Sequence, residues 1–247
     1  MTDSTRRRVL ITGAAGRIGT SLRHSWQGQY ALRLLDRKPI QDPGEAEALT
    51  LDIGNLEALL PAMEGVDAVV HLAGDPSPRA SWESVHQANI VGTYNVFESA
   101  RRAGVQKIVF ATTNHVMGMY DRDRAWPIYH DQMIRPDSLY GVSKAFGEAL
   151  GRYLADEYEL SVICLRIGWF LPQPHNETAL WMWLSPRDAA QVFARAIESP
   201  RRFGIYYAIS NNSRRHWDIT NTIEELGYRP QDDAEAYAAE VLGDPRT

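Results

Sequence analysis

The chain has 247 residues, 44% of them hydrophobic and 23% charged, with a formal net charge of -5. This length can bury the core of one large α/β domain, alone or with a small appended lobe. The acidic balance argues against nucleic acid as the main partner, because phosphate binding needs a dense basic surface, and the apolar runs are too short to cross a bilayer. A small molecule is the expected partner.

The N-terminal opening and the cysteine content indicate the compartment. Residues 1–8 are polar, end in the basic run Arg6, Arg7 and Arg8, and contain no apolar signal-peptide core, so they predict a solvated tail. Cys164 is the single cysteine, which excludes an internal disulfide and fits a reducing compartment. Its apolar neighbours favour a buried, inert thiol over a nucleophile. We expect a cytoplasmic protein without a membrane partner.

The first strand and the turn after it have the order that a dinucleotide site requires. Residues 8–12 are nearly all apolar, as in a central parallel strand. Gly13, Gly16 and Gly19 follow, and a helical pattern begins at Ile18. Glycines let the backbone approach a pyrophosphate, whose charge the helix N-terminus stabilises. For the glycines alone, an ordinary tight turn is the alternative explanation.

Asp36 indicates which dinucleotide is bound. It ends a second strand, at residues 31–35, near the distance from the glycine turn at which an acidic residue meets the adenosine ribose. Its carboxylate accepts hydrogen bonds from the ribose hydroxyls and repels a 2′-phosphate, which favours NAD over NADP. Arg37 and Lys38 come next and could instead hold that phosphate, so NADP stays an alternative.

The rest of the chain alternates between strand and helix patterns. Strands are predicted at residues 48–52, 67–72, 107–111, 160–167 and 205–209, and helices at 55–63, 81–102, 139–158, 188–198 and 218–226. Residues 120–136 form a long polar loop, a candidate lid, and residues 168–186 an irregular stretch whose tryptophans line a pocket or pack a small lobe. The alternation predicts an α/β fold, a Rossmann-type doubly wound parallel sheet with a small C-terminal substrate lobe.

Tyr140 and Lys144 are the candidate chemical groups. They lie four residues apart in a predicted helix and therefore share one face. A free phenol is only about 0.1% ionised at neutral pH, and a nearby ammonium makes it a usable base. A surface helix that carries the pair by coincidence is the alternative. Thr113, at the end of the fifth strand, adds a hydroxyl where such sheets bind ligands.

Together these residues resemble the extended, epimerase-like branch of the short-chain dehydrogenase/reductase superfamily. The motifs that carry the resemblance occur in the family's order: Gly13-x-x-Gly16-x-x-Gly19, Asp36, Asp52, residues 71–74, Asn89, Thr113 and Tyr140-x-x-x-Lys144. Residues 113–115, 139–144, 166–168 and 183–185 resemble the NAD-dependent sugar dehydrogenases of that branch, namely uronate dehydrogenases and archaeal NAD-dependent glucose-6-phosphate dehydrogenases. A homodimer formed through the helices at 81–102 and 139–158 is also implied.

The resemblance implies a role for individual residues. Tyr140 is the acid/base, Lys144 lowers the phenol's pKa and holds the nicotinamide ribose, and Thr113 replaces a more usual serine as the hydroxyl that orients the substrate. The implied cofactor contacts are Gly13, Gly16, Arg17, Ile18, Gly19, Asp36, Asp52, Ile53, Leu72, Ala73, Gly74, Asn89 and Lys144, with His71 in the same segment. The implied substrate contacts are Asp75, Thr113, Asn114, His115, Tyr140 and Trp169.

One departure from the uronate dehydrogenases bears on the substrate. Those enzymes have a serine after Arg-Ile-Gly and then an arginine that binds the sugar carboxylate, whereas here Trp169 follows, and no Arg or Lys lies between Arg166 and Arg187. Arg79, His115 and His175 are the candidates to replace it. Because a phosphate also needs cationic donors, a uronate, a sugar phosphate and a neutral aldose all stay open.

The main hypothesis is an NAD-dependent enzyme that oxidises the anomeric hydroxyl of a sugar to a lactone. A nucleotide-sugar epimerase or dehydratase with tightly bound NAD, and a non-catalytic NAD-binding sensor, are the alternatives. No metal is expected, because no ligand spacing such as His-Glu-x-x-His occurs. We expect one domain over residues 1–247, with the dinucleotide-binding core at 8–168 and mainly the substrate lobe and the completion of the sheet at 169–247.

Overall fold

Short segments of the chain form a parallel sheet at the centre of the molecule. The computed structural model describes residues 6–243. The strands are Arg8–Thr12 (β1), Ala31–Asp36 (β2), Glu47–Thr50 (β3), Ala68–His71 (β4), Lys107–Thr113 (β5), Ser161–Ile167 (β6), Trp169–Phe170 (β7), Trp183–Leu184 (β8) and Phe203–Ala208 (β9). Seven of them form one sheet in the order β3-β2-β1-β4-β5-β6-β9, with every neighbouring pair parallel. The predicted Rossmann-type parallel sheet is confirmed.

Helices connect the strands and cover both faces of the sheet. The α-helices are Arg17–Ser25 (α1), Leu56–Ala62 (α2), Trp82–Val85 (α3), Gly92–Arg102 (α4), Gly118–Arg122 (α5), Leu139–Glu157 (α6), Ala179–Met182 (α7), Pro186–Glu198 (α8), Thr220–Leu226 (α9) and Ala238–Leu242 (α10). Among residues 6–243, no helix combines the length and the apolar character needed to span a membrane.

The alternation of side chains along the strands divides the core between two layers. Val9 packs on one face with Leu22 of α1 and Phe193 of α8. Leu10, the next residue, packs on the other face with Phe97 of α4, beside residues of α2 and α6. Both faces are therefore buried, which explains why the central strands are apolar throughout.

The predicted helix at residues 81–102 is interrupted. Between α3 and α4 the chain forms a π-helical segment, His86–Val91, which contains the fully buried Asn89. A π turn inserts one residue per turn relative to an α-helix and rotates the side chains that follow, so the apolar periodicity alone could not reveal it.

The segment that was expected to be irregular, residues 168–186, is partly ordered. Strand β7 pairs in parallel with β8, and α7 lies between them in the chain. Trp183 is 3% exposed in the core of this lobe, and its indole donates to the Leu171 carbonyl at 2.8 Å. For Trp183, packing of the lobe is therefore the correct explanation.

The N-terminal prediction is partly wrong. Residues 1–5 of the expected tail lie outside the described residues. Arg8 is the first residue of β1, and the Arg7 guanidinium donates to the Ile197 carbonyl at 3.0 Å. The basic run thus joins the sheet and the end of α8. Cys164 is fully buried in β6, as expected, and burial raises the pKa of its thiol.

Candidate active site

The carboxyl ends of β1, β4, β5 and β6 meet at one edge of the sheet. The strand order reverses between β1 and β4, where the connections leave toward opposite sides. In open parallel sheets, ligands bind in the crevice at this point. Thr12 ends β1, His71 ends β4, and Thr113 ends β5, so the predicted site segments start from the same edge.

The glycine turn packs directly on the segment after β4. Gly13 has φ +71°, and a Cβ built on it would lie 2.8 Å from the Ala73 nitrogen. A Cβ on Gly19 would lie 2.5 Å from the Gly13 carbonyl oxygen. Gly16 precedes α1 without capping it through a side chain, so the first N–H groups of the helix stay free for an anion. The predicted glycine turn therefore has the backbone geometry of a pyrophosphate cradle.

Among the other predicted cofactor residues, Asp36 contacts the glycine turn directly. Asp36 lies at the end of β2, where its carboxylate accepts from the Ala15 and Lys38 backbone nitrogens, each at 3.0 Å. Asp52 is exposed and accepts from the Gly54 nitrogen at 2.7 Å. Arg17 and Gly74 are exposed, Ile18, Leu72 and Ala73 are half-buried, and Ile53 is buried.

Tyr140 and Lys144 lie on the buried face of α6. Ser138 begins the helix, since its hydroxyl accepts from the Gly141 nitrogen at 3.1 Å. The side chains of Tyr140 and Lys144 are buried, and the Lys144 ammonium lies 6.0 Å from the centre of the phenol ring. It donates to the Ala111 carbonyl of β5 at 2.8 Å.

The expected direction of the Tyr140 pKa is wrong for the chain by itself. The pKa of Tyr140 is raised to about 12, mainly by burial; a hydrogen bond with Thr113 lowers it, and the charge of Asp75 adds to the rise. Burial also lowers the pKa of Lys144 to about 8. The helical spacing correctly places the two groups together, and desolvation is the largest cause of the raised pKa of Tyr140.

Thr113, Asn114 and His115 lie beside the phenol. The Thr113 hydroxyl accepts from the His115 nitrogen at 3.2 Å and donates to the Asn114 side chain at 3.3 Å. The His115 ring lies 5.8 Å from the Tyr140 ring, and its Nδ1 is 2.9 Å from the Asp137 carboxylate. The predicted substrate residues of this segment are therefore all at the phenol side of the edge.

Asn89, one of the predicted cofactor contacts, makes hydrogen bonds to two other segments of the chain. Its Nδ2 donates to the Asp75 carbonyl at 3.0 Å and to the Ser143 hydroxyl at 2.9 Å, and its Oδ1 accepts from the Asp75 nitrogen at 2.7 Å. The Ser143 hydroxyl donates to the Tyr140 carbonyl at 2.7 Å. Asn89 thus connects the loop after β4 to α6, and its amide makes its hydrogen bonds within the protein.

His71 and Trp169, two further residues of the predicted site, differ in their position relative to the crevice. His71 does not face the crevice: it is fully buried between the hydroxyls of Thr12 and Thr93, because it ends a central strand covered on both sides. Trp169 follows β6 in β7, is half-buried, and packs edge-on against the His175 ring at 5.1 Å.

Sequence reasoning missed a buried ion pair behind the site. Arg166 of β6 binds Glu148 of α6 through two nitrogens, at 3.0 and 2.8 Å, and Thr112 donates to the same carboxylate at 2.8 Å. Another Arg166 nitrogen donates to the His130 carbonyl at 3.1 Å. The four-residue spacing from Lys144 to Glu148 was the available signal, since it places Glu148 on the face of Tyr140 and Lys144.

Comparisons with known proteins agree with this geometry. NAD-dependent glucose-6-phosphate dehydrogenase of Haloferax volcanii is 40% identical over 256 residues, which cover 96% of this chain and 97% of that protein. L-arabinose 1-dehydrogenase (NAD(P)(+)) of the same organism is 39% identical, with 92% and 97% covered. The crystal structure of a uronate dehydrogenase variant from Agrobacterium tumefaciens complexed with NAD is similar with a TM-score of 0.88 at 32% identity, covering 96% of this chain and 89% of that one.

A family model gives the same assignment over most of the chain. It matches residues 9–179, which include the glycine turn, Asp36, Asn89 and the whole of α6. The resemblance inferred from the motifs is confirmed, and the chain belongs to the NAD dependent epimerase/dehydratase family.

Proposed function

We propose that the protein is an NAD-dependent sugar dehydrogenase that oxidises the anomeric hydroxyl of a sugar to a lactone. The observation that carries the proposal is the position of Tyr140 between Thr113 and Lys144, at the edge of the sheet that holds the glycine turn. The names of the similar proteins support it, because they are dehydrogenases of glucose 6-phosphate, L-arabinose and uronate.

The residues of the chain fit NAD. A side chain on Gly13 or Gly19 would collide with the backbone packed against the turn, so only glycine allows this turn before α1, and the uncapped N–H groups of the helix suit a pyrophosphate. Asp36 lies where a carboxylate meets the adenosine ribose. Asp52 and Ile53 would lie along the adenine, and Leu72, Ala73 and Gly74 along the rest of the dinucleotide.

In the proposed reaction, Tyr140 first gives up its phenol proton to solvent, and the phenolate oxygen then removes the proton of the anomeric hydroxyl while a hydride leaves the anomeric carbon. The carbon–oxygen double bond of the lactone forms as both leave. NAD, when bound, supplies the acceptor for the hydride. Thr113 and Asn114 orient the sugar hydroxyl toward the phenol by hydrogen bonding.

Tyr140 needs help to act as a base. Because the pKa of its phenol in the chain by itself is about 12, the phenolate must be stabilised by roughly 5 kcal/mol for work near pH 8. The Lys144 ammonium acts in that direction, and its bond to the Ala111 carbonyl fixes its position against α6. We therefore assign proton transfer to Tyr140 and charge stabilisation to Lys144.

The two alternative functions have less support. An epimerase or dehydratase must hold a nucleotide diphosphate, but the segment after Ile167 supplies β9 to the sheet and, through residue 243, only short elements to the lobe. A non-catalytic sensor would not need Thr113, Tyr140 and Lys144 in contact range of one another.

The test is NADH formation with a panel of sugars, in parallel with NAD and NADP. The panel contains galacturonate, glucuronate, glucose 6-phosphate and neutral aldoses. Turnover of a UDP-sugar without accumulation of NADH would favour the epimerase. Tight NAD binding without turnover of any sugar would favour the sensor.

Substitution of the proposed base tests the mechanism. Tyr140→Phe keeps the ring and its packing but removes the proton acceptor, so we expect kcat to fall by about 100- to 10,000-fold with NAD affinity unchanged by calorimetry. Tyr206→Phe, which removes a phenol hydroxyl bound to Glu225 between β9 and α9, is the control. Near-normal turnover of Tyr140→Phe would exclude Tyr140 as the base.

The proposal includes a cytoplasmic homodimer. Tyr94 of α4 and Tyr153 of α6 are exposed beside a groove of about 300 Å³ between the two helices, a surface that suits a second copy. Light scattering of the purified chain would give its mass in solution. The division into a cofactor core at residues 8–168 and a substrate lobe at 169–247 also stays a prediction.

A further inference from the structure

Asp137 and His115 form a half-buried pair beside the proposed base. Both carboxylate oxygens of Asp137 lie 2.9 Å from the His115 Nδ1. The His115 ring lies 5.8 Å from the Tyr140 ring and meets it edge-on. Asp137 is the residue before the N-cap of α6, and neither the sequence motifs nor the proposed reaction gives it a role.

Several contacts hold Asp137 in place. Its side chain is 9% exposed, and the Ser138 hydroxyl donates to its carboxylate at 2.9 Å. Its backbone nitrogen donates to the His115 carbonyl at 3.3 Å. A Cβ built on Gly118 would collide with the Asp137 Oδ2, and an Arg122 guanidinium nitrogen lies 4.0 Å from the same oxygen. These contacts keep the carboxylate against the imidazole.

The bonds of Asp137 decide which ring nitrogen of His115 carries a proton. Burial by itself would raise the pKa of Asp137, but its hydrogen bonds with His115 and Ser138 lower it below the usual range. The carboxylate is therefore ionised at neutral pH and can only accept hydrogen bonds. A neutral His115 must then carry its proton on Nδ1, which leaves Nε2 as an acceptor.

Nε2 of His115 is on the uncovered edge of the ring. The His115 side chain is 30% exposed, while the Asp137 carboxylate covers its Nδ1 edge. Within the part of the chain that the structure describes, Nε2 has no hydrogen-bond partner. The Thr113 hydroxyl accepts from the His115 backbone nitrogen at 3.2 Å and so ties the imidazole to the segment beside the phenol. An acceptor is therefore available next to Tyr140.

The chemistry of an aldose decides which of its groups can bind this acceptor. When the anomeric hydroxyl lies at Tyr140, the two ring atoms next to the anomeric carbon are the ring oxygen and C2. The ring oxygen has no proton to donate, whereas the C2 hydroxyl has one. Among the neighbours of the reacting carbon, only the C2 hydroxyl can therefore donate to Nε2.

We propose that Asp137 is a positioning residue that keeps His115 in the tautomer whose Nε2 accepts a hydrogen bond from the C2 hydroxyl of the sugar. This inference rests on the proposed function, since it assigns a further contact within the same site. The pair selects sugars that carry a hydroxyl at C2 and helps to hold the anomeric carbon against Tyr140. Asp137 acts through the imidazole and does not touch the substrate.

Matched sugars test the proposal. The sugar of the panel with the highest kcat/KM is compared with its 2-deoxy counterpart, for example glucose with 2-deoxyglucose. We expect the unsubstituted enzyme to prefer the hydroxylated sugar by about tenfold, the effect of one hydrogen bond to the substrate. Asp137→Asn keeps the size of the side chain but loses the charge that fixes the tautomer, so we expect this preference to fall by about threefold or more.

The preference is a ratio of two kcat/KM values measured on one preparation. It does not depend on the fraction of a variant that folds, and the electronic effect of the C2 hydroxyl on hydride loss is the same in every variant. A purely structural role of Asp137 would lower kcat/KM for both sugars equally and leave the ratio as it is.

Two further substitutions complete the design. His115→Ala should remove the preference, and adding Asp137→Asn to it should change the preference no further. Asp121→Asn is the matched control, because Asp121 lies 2.9 Å from the Nδ1 of His216 in a second His–Asp pair. The His216 ring stacks on the Trp126 indole and not on the phenol, so this variant should keep the full preference.

The outcomes are distinguishable. The inference would be overturned, with the proposed function intact, by equal kcat/KM for the two sugars in the unsubstituted enzyme, by an unchanged preference in Asp137→Asn, by additive losses in the double variant, or by an equal loss in Asp121→Asn. Absence of NADH formation with every sugar would overturn the proposed function and the inference with it.

Discussion

Two buried lysines lie against opposite ends of the same strand. Lys107 is the first residue of β5, and its ammonium donates to the Ser199 carbonyl just after α8. Lys144 of α6 donates to the Ala111 carbonyl near the other end of β5. Burial lowers the pKa of both lysines to about 8. Both lysines are therefore buried, both donate to a backbone carbonyl, and both have a lowered pKa.

Their neighbours differ completely. Lys144 lies beside the Tyr140 ring and the Gly74 backbone, at the edge where ligands bind in such sheets. Lys107 lies at the amino edge of the sheet, near Arg7 and the end of α8. A shifted pKa therefore reports burial in both places, and the surrounding groups decide whether the burial serves chemistry.

We expect the two lysines to differ most in their effect on catalysis. Lys144→Met removes the ammonium and fills the space with an unbranched apolar chain, so we expect kcat to fall by about 100- to 1000-fold, because the phenolate loses its counter-charge. Lys107→Met should leave kcat and KM unchanged. Steady-state NADH formation measures both, and an equal loss in the two variants would show that Lys144 acts through the fold alone.

Two glycines extend the comparison to the cofactor. Gly13 and Gly28 both have positive φ, but a Cβ on Gly13 would meet Ala73 whereas a Cβ on Gly28 meets nothing within 4 Å. We expect Gly13→Ala to weaken NAD binding by about 30-fold, equivalent to roughly 2 kcal/mol of strain. Gly28→Ala should cost about 1 kcal/mol of stability and leave NAD affinity as it is. If calorimetric titration showed that the two variants bind NAD with equal affinity, the proposed role of Gly13 in the pyrophosphate cradle would be contradicted.

Two buried asparagines provide a third matched pair. Asn89 holds the Asp75 backbone and the Ser143 hydroxyl, whereas Asn95 donates to the Ile53 carbonyl at 2.9 Å. Each substitution to Ala leaves buried backbone groups unpaired and should cost about 1–3 kcal/mol of stability. Only Asn89→Ala should also lower kcat, by about tenfold, because α6 and the Asp75 loop lose their connection. If Asn95→Ala lowered kcat by the same amount, the positioning role proposed for Asn89 would be contradicted.

The glycine turn could be predicted from sequence because its backbone conformation dictates its residues. At Gly13 both the positive φ and the contact with Ala73 exclude a side chain, so glycine spacing after an apolar strand carries the information. The parallel sheet follows from the same logic, since strands buried on both faces must be apolar throughout.

The rest depends on contacts between distant parts of the chain. The Arg166–Glu148 pair and the bonds of Asn89 join segments that are distant in the sequence; the Lys144–Glu148 spacing indicates only the shared helix face, not the arginine that binds there. The π-helical segment that positions Asn89 has no distinct composition. The pKa of Tyr140 could not be foreseen either, because the spacing to Lys144 gives proximity but not desolvation.

The two lysines should resemble each other most closely in the pH dependence of stability. Between about pH 8, the folded value of each, and 10.5, the ordinary value, the unfolded chain holds a proton that the folded chain does not, so the free energy of unfolding rises with pH. Below pH 8 both states are protonated and this dependence vanishes. Above about pH 10 the buried tyrosines act in the opposite sense, because burial raises the pKa of Tyr30 and Tyr140 to about 12 and the unfolded phenols ionise first.

Urea unfolding at about pH 7.5 and 9.5 therefore measures the contribution of the lysines to stability without that of the tyrosines. We expect the unsubstituted chain to gain stability between these values, and Lys107→Met to gain less by roughly 1 kcal/mol or less, allowing for solvent screening. Lys144→Met should show a reduction of similar size. The two variants would then differ by orders of magnitude in kcat but show the same pH dependence of the free energy of unfolding. This result is expected if both lysines are buried alike and only the neighbours of Lys144 take part in the chemistry. A full gain in either variant would mean that the lysine in question is not the group that titrates.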